Sequence, residues 1–229
     1  MTANKNFIIE NDVLVKYQGN DESVVIPDGI TTIGDLAFIS HKEIKSVLIP
    51  DSITTIGEYA FCWCEGLSDI NIPNSITSIG KYAFYKCEGL ESFTIPDAIE
   101  RIEHGVFALC SNLREIHIPP SVTSLGTEVF RGCEKLSHAF LPPNQQIICH
   151  SMFKDCKSIT EVQISEDVRA IATLAFENCT GLTEVVIPDC VGYIGDLAFS
   201  GCENITLIVT EHSRAHTYAM ENGIPFVIQ

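Results

Sequence analysis

Phenylalanine recurs every 23 residues through most of this chain of 229 residues, and no insertion interrupts the spacing. The eight positions are Phe38, Phe61, Phe84, Phe107, Phe130, Phe153, Phe176 and Phe199. A column of cysteines keeps the same period, at Cys64, Cys87, Cys110, Cys133, Cys156, Cys179 and Cys202. A proline column begins at Pro27 and is interrupted only by Ser165. Columns that stay in phase over eight units predict a solenoid, in which each coil packs only on its neighbours.

A single unit shows how each coil is built. Residues 67–72, LSDINI, alternate apolar and polar side chains, which is typical of a strand with one buried face. Pro73 then ends the hydrogen bonding of that strand. Gly80 is expected to allow a tight turn, and residues 81–84 to form a short helical turn after it. One such unit buries only one edge, so its stability must come from stacking on the next unit.

The two ends of the chain depart from the repeat. Residues 7–17 predict two short strands around an Asn11-Asp12 turn, which would form an N-terminal hairpin cap. Residues 213–223 predict a helix that begins at Ser213 and stops at Gly223, and residues 224–228 predict a closing strand. Terminal coils need such covers because they would otherwise expose the apolar core.

The units IPDSITTIGEYAFCWCEGL, residues 49–67, and IPNSITSIGKYAFYKCEGL, residues 72–90, resemble the BspA-like class of leucine-rich repeats. The resemblance implies a right-handed α/β-type solenoid, with a parallel sheet on one face and short helical or irregular segments on the other. It also implies an adhesion or protein-binding surface, often secreted. No catalytic residue set belongs to the family, so none is carried over to this chain.

We therefore expect one leucine-rich repeat domain over the whole chain. In this division, residues 1–21 are the hairpin cap, residues 22–210 hold about eight repeats, and residues 211–229 are the helix-strand cap.

The charge balance excludes several kinds of partner. Thirty acidic residues against fourteen basic ones give a net charge of −16 and a pI near 4.7. Such a field repels phosphate backbones and anionic headgroups, so neither nucleic acid nor a membrane surface is an expected partner. No stretch of about 18 apolar residues is present, so membrane insertion is not expected either. The expected partner is a protein, and a basic one.

The ten cysteines are interpreted as packing residues, because seven of them occupy one position of the repeat. Each thiol could bond a carbonyl of the adjoining coil, and parallel Cβ vectors are a poor geometry for a disulfide. Reduced thiols and the absence of a signal peptide favour a cytoplasmic location; a secreted or cell-surface location is the alternative if a leader has been removed. Cys62-Trp63-Cys64 and Cys149-His150 lack the spacing of metal sites, so we predict no metal and no cofactor.

The period also indicates which strand side chains point outward. One outward column is Val25, Leu48, Asn71, Thr94, His117, Phe140, Gln163, Val186 and Val209. The other is Ser23, Ser46, Asp69, Ser92, Glu115, His138, Glu161, Glu184 and Leu207. No catalytic motif is recognisable elsewhere, so these columns are where a function is sought.

Phe140 is the most suggestive outward residue, because aromatic side chains are favoured at binding hot spots. The candidate partner-binding residues are His117, His138, Phe140, Glu115, Glu161 and Gln163. Isolated exposed apolar residues are nevertheless ordinary on protein surfaces. Residues 141–153 depart most from the repeat, which is consistent with a binding site, a local bend or tolerated drift.

Two functions remain open from the sequence. The favoured one is a non-enzymatic module that binds a protein partner through the exposed sheet. The alternative is a structural or adhesive surface element that makes homotypic contacts. An enzyme using Cys149 and His150 is a distant third.

Overall fold

The computed structural model describes residues 6–229, which form a stack of coils that follow the 23-residue period. The coils are numbered 1 to 8 here by their phenylalanine, from Phe38 to Phe199. The elements in chain order are β1 Phe7–Glu10, β2 Val13–Tyr17, β3 Ser23–Val25, β4 Thr32–Ile33, β5 Ser46–Leu48, β6 Thr55–Ile56, β7 Asp69–Ile70, β8 Ser78–Ile79, β9 Ser92–Thr94, β10 Arg101–Ile102, β11 Glu115–His117, β12 Ser124–Leu125, β13 Ile147–Ile148, β14 Ala170–Ile171, β15 Glu184–Val186, β16 Tyr193–Ile194, β17 Thr206–Val209, α1 Arg214–Asn222 and β18 Phe226–Ile228.

Parallel strands run along two sides of the stack. The first ladder joins β3, β5 and β7, then β9 and β11, and finally β15, β17 and β18. The second ladder joins β1, β2, β4, β6 and β8, then β10 and β12, and finally β13, β14 and β16. Within both ladders of the repeat, residues pair with their equivalents one coil away, as Val24 does with Val47 and Ile33 with Ile56. The predicted parallel sheet is therefore confirmed, whereas the second ladder is an addition that the sequence pattern did not reveal.

The third side of the stack is a turn that contains the phenylalanine. In coil 1 the backbone N–H groups of Leu36, Phe38 and Ser40 donate to carbonyls of coil 2 at 2.7–2.9 Å. Leu36 and Ser40 have positive φ angles of 61° and 64°, and equivalent positions in the other coils share this left-handed backbone.

The prediction of a helical turn at residues 81–84 is wrong, because the backbone there is left-handed at Tyr82. Tyr82 has a φ of 56°, and its N–H donates to His104 of the next coil instead of to its own turn. Bonding between coils satisfies these backbone groups where a single isolated helical turn could not.

The core holds a column of phenylalanine rings and a column of thiols. Adjacent rings lie nearly parallel, with centroids 4.9–6.1 Å apart. Each thiol of the cysteine column donates to the carbonyl of the phenylalanine in the preceding coil at 3.0–3.2 Å. All ten cysteines are unpaired. For the seven cysteines of the column, the prediction that they are packing residues bonded to the neighbouring coil is confirmed.

The periodic glycines serve close approach rather than an unusual turn. A Cβ on Gly80 would lie 2.5 Å from the backbone nitrogen of Glu58 in the preceding coil. The φ of Gly80 is not among the positive values. Small size, and not conformational freedom, is what this position requires.

The predicted elements at both ends are present. Asn11 and Asp12, with φ angles of 48° and 62°, form the tight turn between the antiparallel strands β1 and β2. Helix α1 follows Ser213, whose hydroxyl accepts a hydrogen bond from the N–H of His216, and it ends at Gly223 in the left-handed conformation.

The prediction that Leu207 and Val209 point outward in the last repeat is wrong. Leu207 and Val209 are buried, because the strand register there advances by 22 residues and Val186 pairs with Ile208. One residue fewer before β17 exchanges its inward and outward sides. Thr206 and Ile208 take the outward positions.

A glycine test follows from the geometry of the turn. Gly105 has a φ of 60°, and a Cβ there would lie 2.1 Å from Cε1 of Tyr82. Gly105→Ala is therefore expected to lower the free energy of unfolding by about 1–3 kcal/mol, from backbone strain and displacement of the Tyr82 ring. Urea unfolding followed by circular dichroism measures this loss. Gly192→Ala, with no atom within 4 Å of its Cβ position, is the control and should not destabilise the fold.

The thiols should differ in reactivity according to burial. Burial raises the pKa of Cys110 to about 12, so its reactive thiolate is suppressed in the folded protein. Native alkylation with iodoacetamide at pH 8, mapped by peptide mass, should modify Cys149 and Cys190 first, because they are the partly exposed thiols. The seven column cysteines should react only after denaturation. Early modification of the column would contradict the packing described here.

Candidate functional site

All six candidate residues lie together on the outward side of the first ladder, in coils 5 to 7, and all are exposed. They line two concavities that meet at Phe140, and this surface is called the Phe140 site below. The first concavity, of about 350 Å³, includes Glu115, His117, His138 and Phe140. The second, of about 480 Å³, includes His138, Phe140, Glu161 and Gln163.

Phe140 forms the apolar centre of this site, and its side chain is 38% exposed. A hydrogen bond of 2.7 Å joins Nδ1 of His138 to the hydroxyl of Ser137 and restrains the imidazole beside it. Glu115 lines the first concavity and Glu161 lines the second, so one acidic residue belongs to each side of the site. An aromatic centre with a polar rim is the usual arrangement of a protein-binding hot spot.

The concavities lie where the first ladder is interrupted. Pairing stops after β11 and resumes only at β15, and between them a single isolated bridge joins Ala139 to Val162. Apart from this bridge, coils 6 and 7 form no strand pairing on this side of the stack, so this part of the sheet is not a continuous pleated surface. The local irregularity creates the relief on either side of Phe140.

The second ladder is also interrupted at coil 6, between β12 and β13. Here side chains of coil 6 replace the backbone pairing that would join Leu125 to that coil, while its pairing with Ile102 is kept. The Leu125 N–H donates to Oε1 of the buried Gln145 at 3.1 Å, and its carbonyl accepts from the thiol of Cys149 at 3.5 Å. Two of the residues that depart from the repeat in 141–153 therefore bridge a gap in the ladder, and a third, Met152, is buried in the core.

The arrangement around Cys149 does not favour nucleophilic chemistry. Its thiol is directed at backbone carbonyls, and burial raises its pKa. His150 is exposed to solvent. Within residues 6–229, no group of three or more His, Cys, Asp or Glu side chains could hold a metal ion.

Two exposed surfaces were not singled out by the sequence analysis. Val25 and Leu48 form an apolar pair at the N-terminal end of the first ladder, although both stood in the predicted outward column. On the turn side, Tyr59 stacks on Tyr82 at 5.2 Å, and Nζ of Lys86 lies 4.2 Å from the Trp63 ring centroid. Recurrence of tyrosine two positions before the phenylalanine in successive units was the available signal for this second surface.

A parallel-stranded solenoid with an exposed sheet and unpaired core cysteines is the architecture of a leucine-rich repeat module. The BspA type leucine rich repeat region matches residues 9–137 and 77–206, in six copies. The chain belongs to this family.

Solved structures share the fold. The leucine rich repeat protein of T. pallidum is 23% identical, with a TM-score of 0.62, and the match covers 99% of this chain and 97% of that one. A leucine rich cell surface protein from Faecalibacterium prausnitzii A2-165 is 22% identical, with a TM-score of 0.54, and the match covers 93% and 94%. No curated protein sequence was found to match the chain.

The described part of the chain, residues 6–229, has no helix of the length and apolarity that crossing a membrane requires.

The role of Gln145 can be tested by substitution. Gln145→Leu removes the acceptor of the Leu125 N–H and leaves that buried donor unsatisfied, so the free energy of unfolding should fall by about 1–3 kcal/mol. Chemical denaturation measures the change. Gln146→Leu, at the exposed neighbouring position, is the control and should stay within about 0.5 kcal/mol of the parent protein. Equal stability of both variants would show that the gap in the ladder needs no side-chain bridge.

Proposed function

We propose that this chain is a non-enzymatic module that binds a protein partner through the outward side of its first ladder, at the Phe140 site. The observation that carries the proposal is the position of Phe140 between two concavities that contain all six candidate residues. Leucine-rich repeat proteins commonly mediate protein interaction or adhesion, which supports this class of function.

Charge supports a basic partner. Glu115, Glu161 and Glu184 stand on the same outward column, and the whole chain carries a net charge of −16. Complementary positive charge on the partner would speed encounter and would disfavour acidic competitors. Binding of this kind should weaken as ionic strength rises.

Location bears on which partner the site meets. The relative from Faecalibacterium prausnitzii is a cell surface protein, which favours the cell exterior for this chain. The unpaired cysteines favour a reducing compartment instead. The test therefore uses both cell lysate and secreted material.

The decisive experiment is a pull-down with the parent protein and with the triple variant His117→Ala, His138→Ala, Phe140→Ala. Parent protein should capture a partner that the variant loses. Truncation of hot-spot side chains is worth about 2 kcal/mol or more, or roughly 30-fold in the dissociation constant. Thermal unfolding of the variant should be unchanged, because all three side chains are exposed.

A matched control places three substitutions on the same face away from the site: Ser23→Ala, Ser46→Ala and Asp69→Asn. This control should bind like the parent protein. Equal capture of the partner by the parent protein, the triple variant and the control would contradict the proposal that the partner binds at the Phe140 site.

A second candidate function, a structural or adhesive element with homotypic contacts, is favoured by one observation. Strand β18 pairs with β17 on one side only, and its Val227 and Ile228 are 54% and 42% exposed. An edge strand with apolar side chains can pair with another chain. Concentration-dependent growth in mass by light scattering, abolished by Val227→Lys, would support this function over the first.

A further inference from the structure

Two well-exposed apolar side chains of the first ladder lie far from the Phe140 site. Val25 is 60% exposed and Leu48 is 53% exposed, and the two residues are paired partners at the ends of β3 and β5. Together with Pro27 and Pro50 they line a groove of about 610 Å³, called the Val25–Leu48 groove below. Leu48 and Phe140 are 92 residues apart, which is four coils along the stack.

The side chain of Asn71 leaves this groove open at its third coil. Asn71 stands next to Leu48 in the outward column, but its amide turns back onto the backbone of Ile49. Its Oδ1 accepts from the Ile49 N–H at 2.6 Å, and its Nδ2 donates to the Ile49 carbonyl at 2.8 Å. These bonds replace strand pairing, since β7 ends at Ile70. Leu48 therefore keeps an exposed apolar surface.

Two carboxylates border the apolar floor. Asp28 and Asp51 occupy equivalent positions of adjacent coils, and both are exposed. Neither forms an ion pair within the described residues, and none of the residues lining the groove is basic. The groove thus combines apolar surface with uncompensated negative charge, in a protein that is strongly acidic throughout.

We propose that the Val25–Leu48 groove binds an arginine side chain of a partner protein. The aliphatic stem of arginine covers Val25, Leu48 and the prolines, while its guanidinium meets the carboxylates of Asp28 and Asp51. The planar guanidinium has five donors in a fixed geometry, which suits two acceptors at the rim better than a single ammonium does.

This proposal does not depend on the Phe140 site, because no residue is shared between the two surfaces. An arginine at the groove could belong to the same partner or to a different one.

The test uses a defined peptide, acetyl-Ala-Arg-Ala-amide, titrated into isotopically labelled protein and followed by amide chemical shifts. The amide chemical shifts of Val25, Ile26, Asp28, Leu48, Ile49 and Asp51 should change in a saturable way; the two prolines have no N–H to observe. The matched peptide with citrulline in place of arginine has nearly the same shape without the charge. At equal concentration, it should change the chemical shifts of these residues at least tenfold less.

Variants of the protein sharpen the test. Asp28→Asn with Asp51→Asn should weaken arginine-peptide binding at least tenfold at low salt, and Leu48→Ser should also weaken it. Asp97→Asn, at the equivalent rim position outside the groove, is the control and should bind like the parent protein.

Equal shifts with the citrulline peptide, or unchanged binding by the double aspartate variant, would overturn the proposal. Shifts confined to Glu115 and Glu161 would overturn it as well, and would instead place the basic ligand at the Phe140 site.

Discussion

Hydrogen bonding from each coil to the next is the interaction on which the rest of the structure depends. On the turn side, alternate N–H groups around each phenylalanine reach carbonyls of the following coil, and the thiol column adds a bond to the coil before. These bonds hold equivalent residues one coil apart, so the phenylalanine rings stack almost parallel. An inserted residue in any one unit would shift its N–H groups out of register with the neighbouring carbonyls.

The ends of the aromatic column show how the stack is closed. Tyr17 lies on the first ring, Phe38, with its centroid 5.2 Å away. At the other end, Tyr218 of α1 meets Phe199 edge-on at 6.3 Å. A tilted ring at one end and an edge-on ring at the other cover the apolar column without presenting another parallel stacking face. The hairpin and helix thus extend the packing while ending the repeat.

Where the backbone ladders are interrupted, side chains take over and surface relief results. Gln145 and Cys149 satisfy Leu125 in a gap of the second ladder, and Asn71 satisfies Ile49 just beyond the end of the pairing between β5 and β7. One concavity lies beside the gap of the first ladder at Phe140, and another lies beside Leu48, where that pairing ends. In a regular repeat protein, departures from the pattern can therefore support the fold and shape a surface at the same time, because an unpaired backbone group must find another partner.

The amino-acid sequence alone determined the solenoid, its period, the buried phenylalanine and cysteine columns, and the side-chain composition of the exposed sheet. It could do so because identical units in an unbroken period must occupy equivalent environments. It also placed the hairpin, α1 and β18 through turn and cap residues. The tertiary structure decided what depends on contacts between residues 23 positions apart: the second ladder, the left-handed turn in place of a helical one, and the exchange of sides at Leu207 and Val209. It also decided the open groove at Leu48, since hydrogen-bond direction and strand register arise only when coils are stacked.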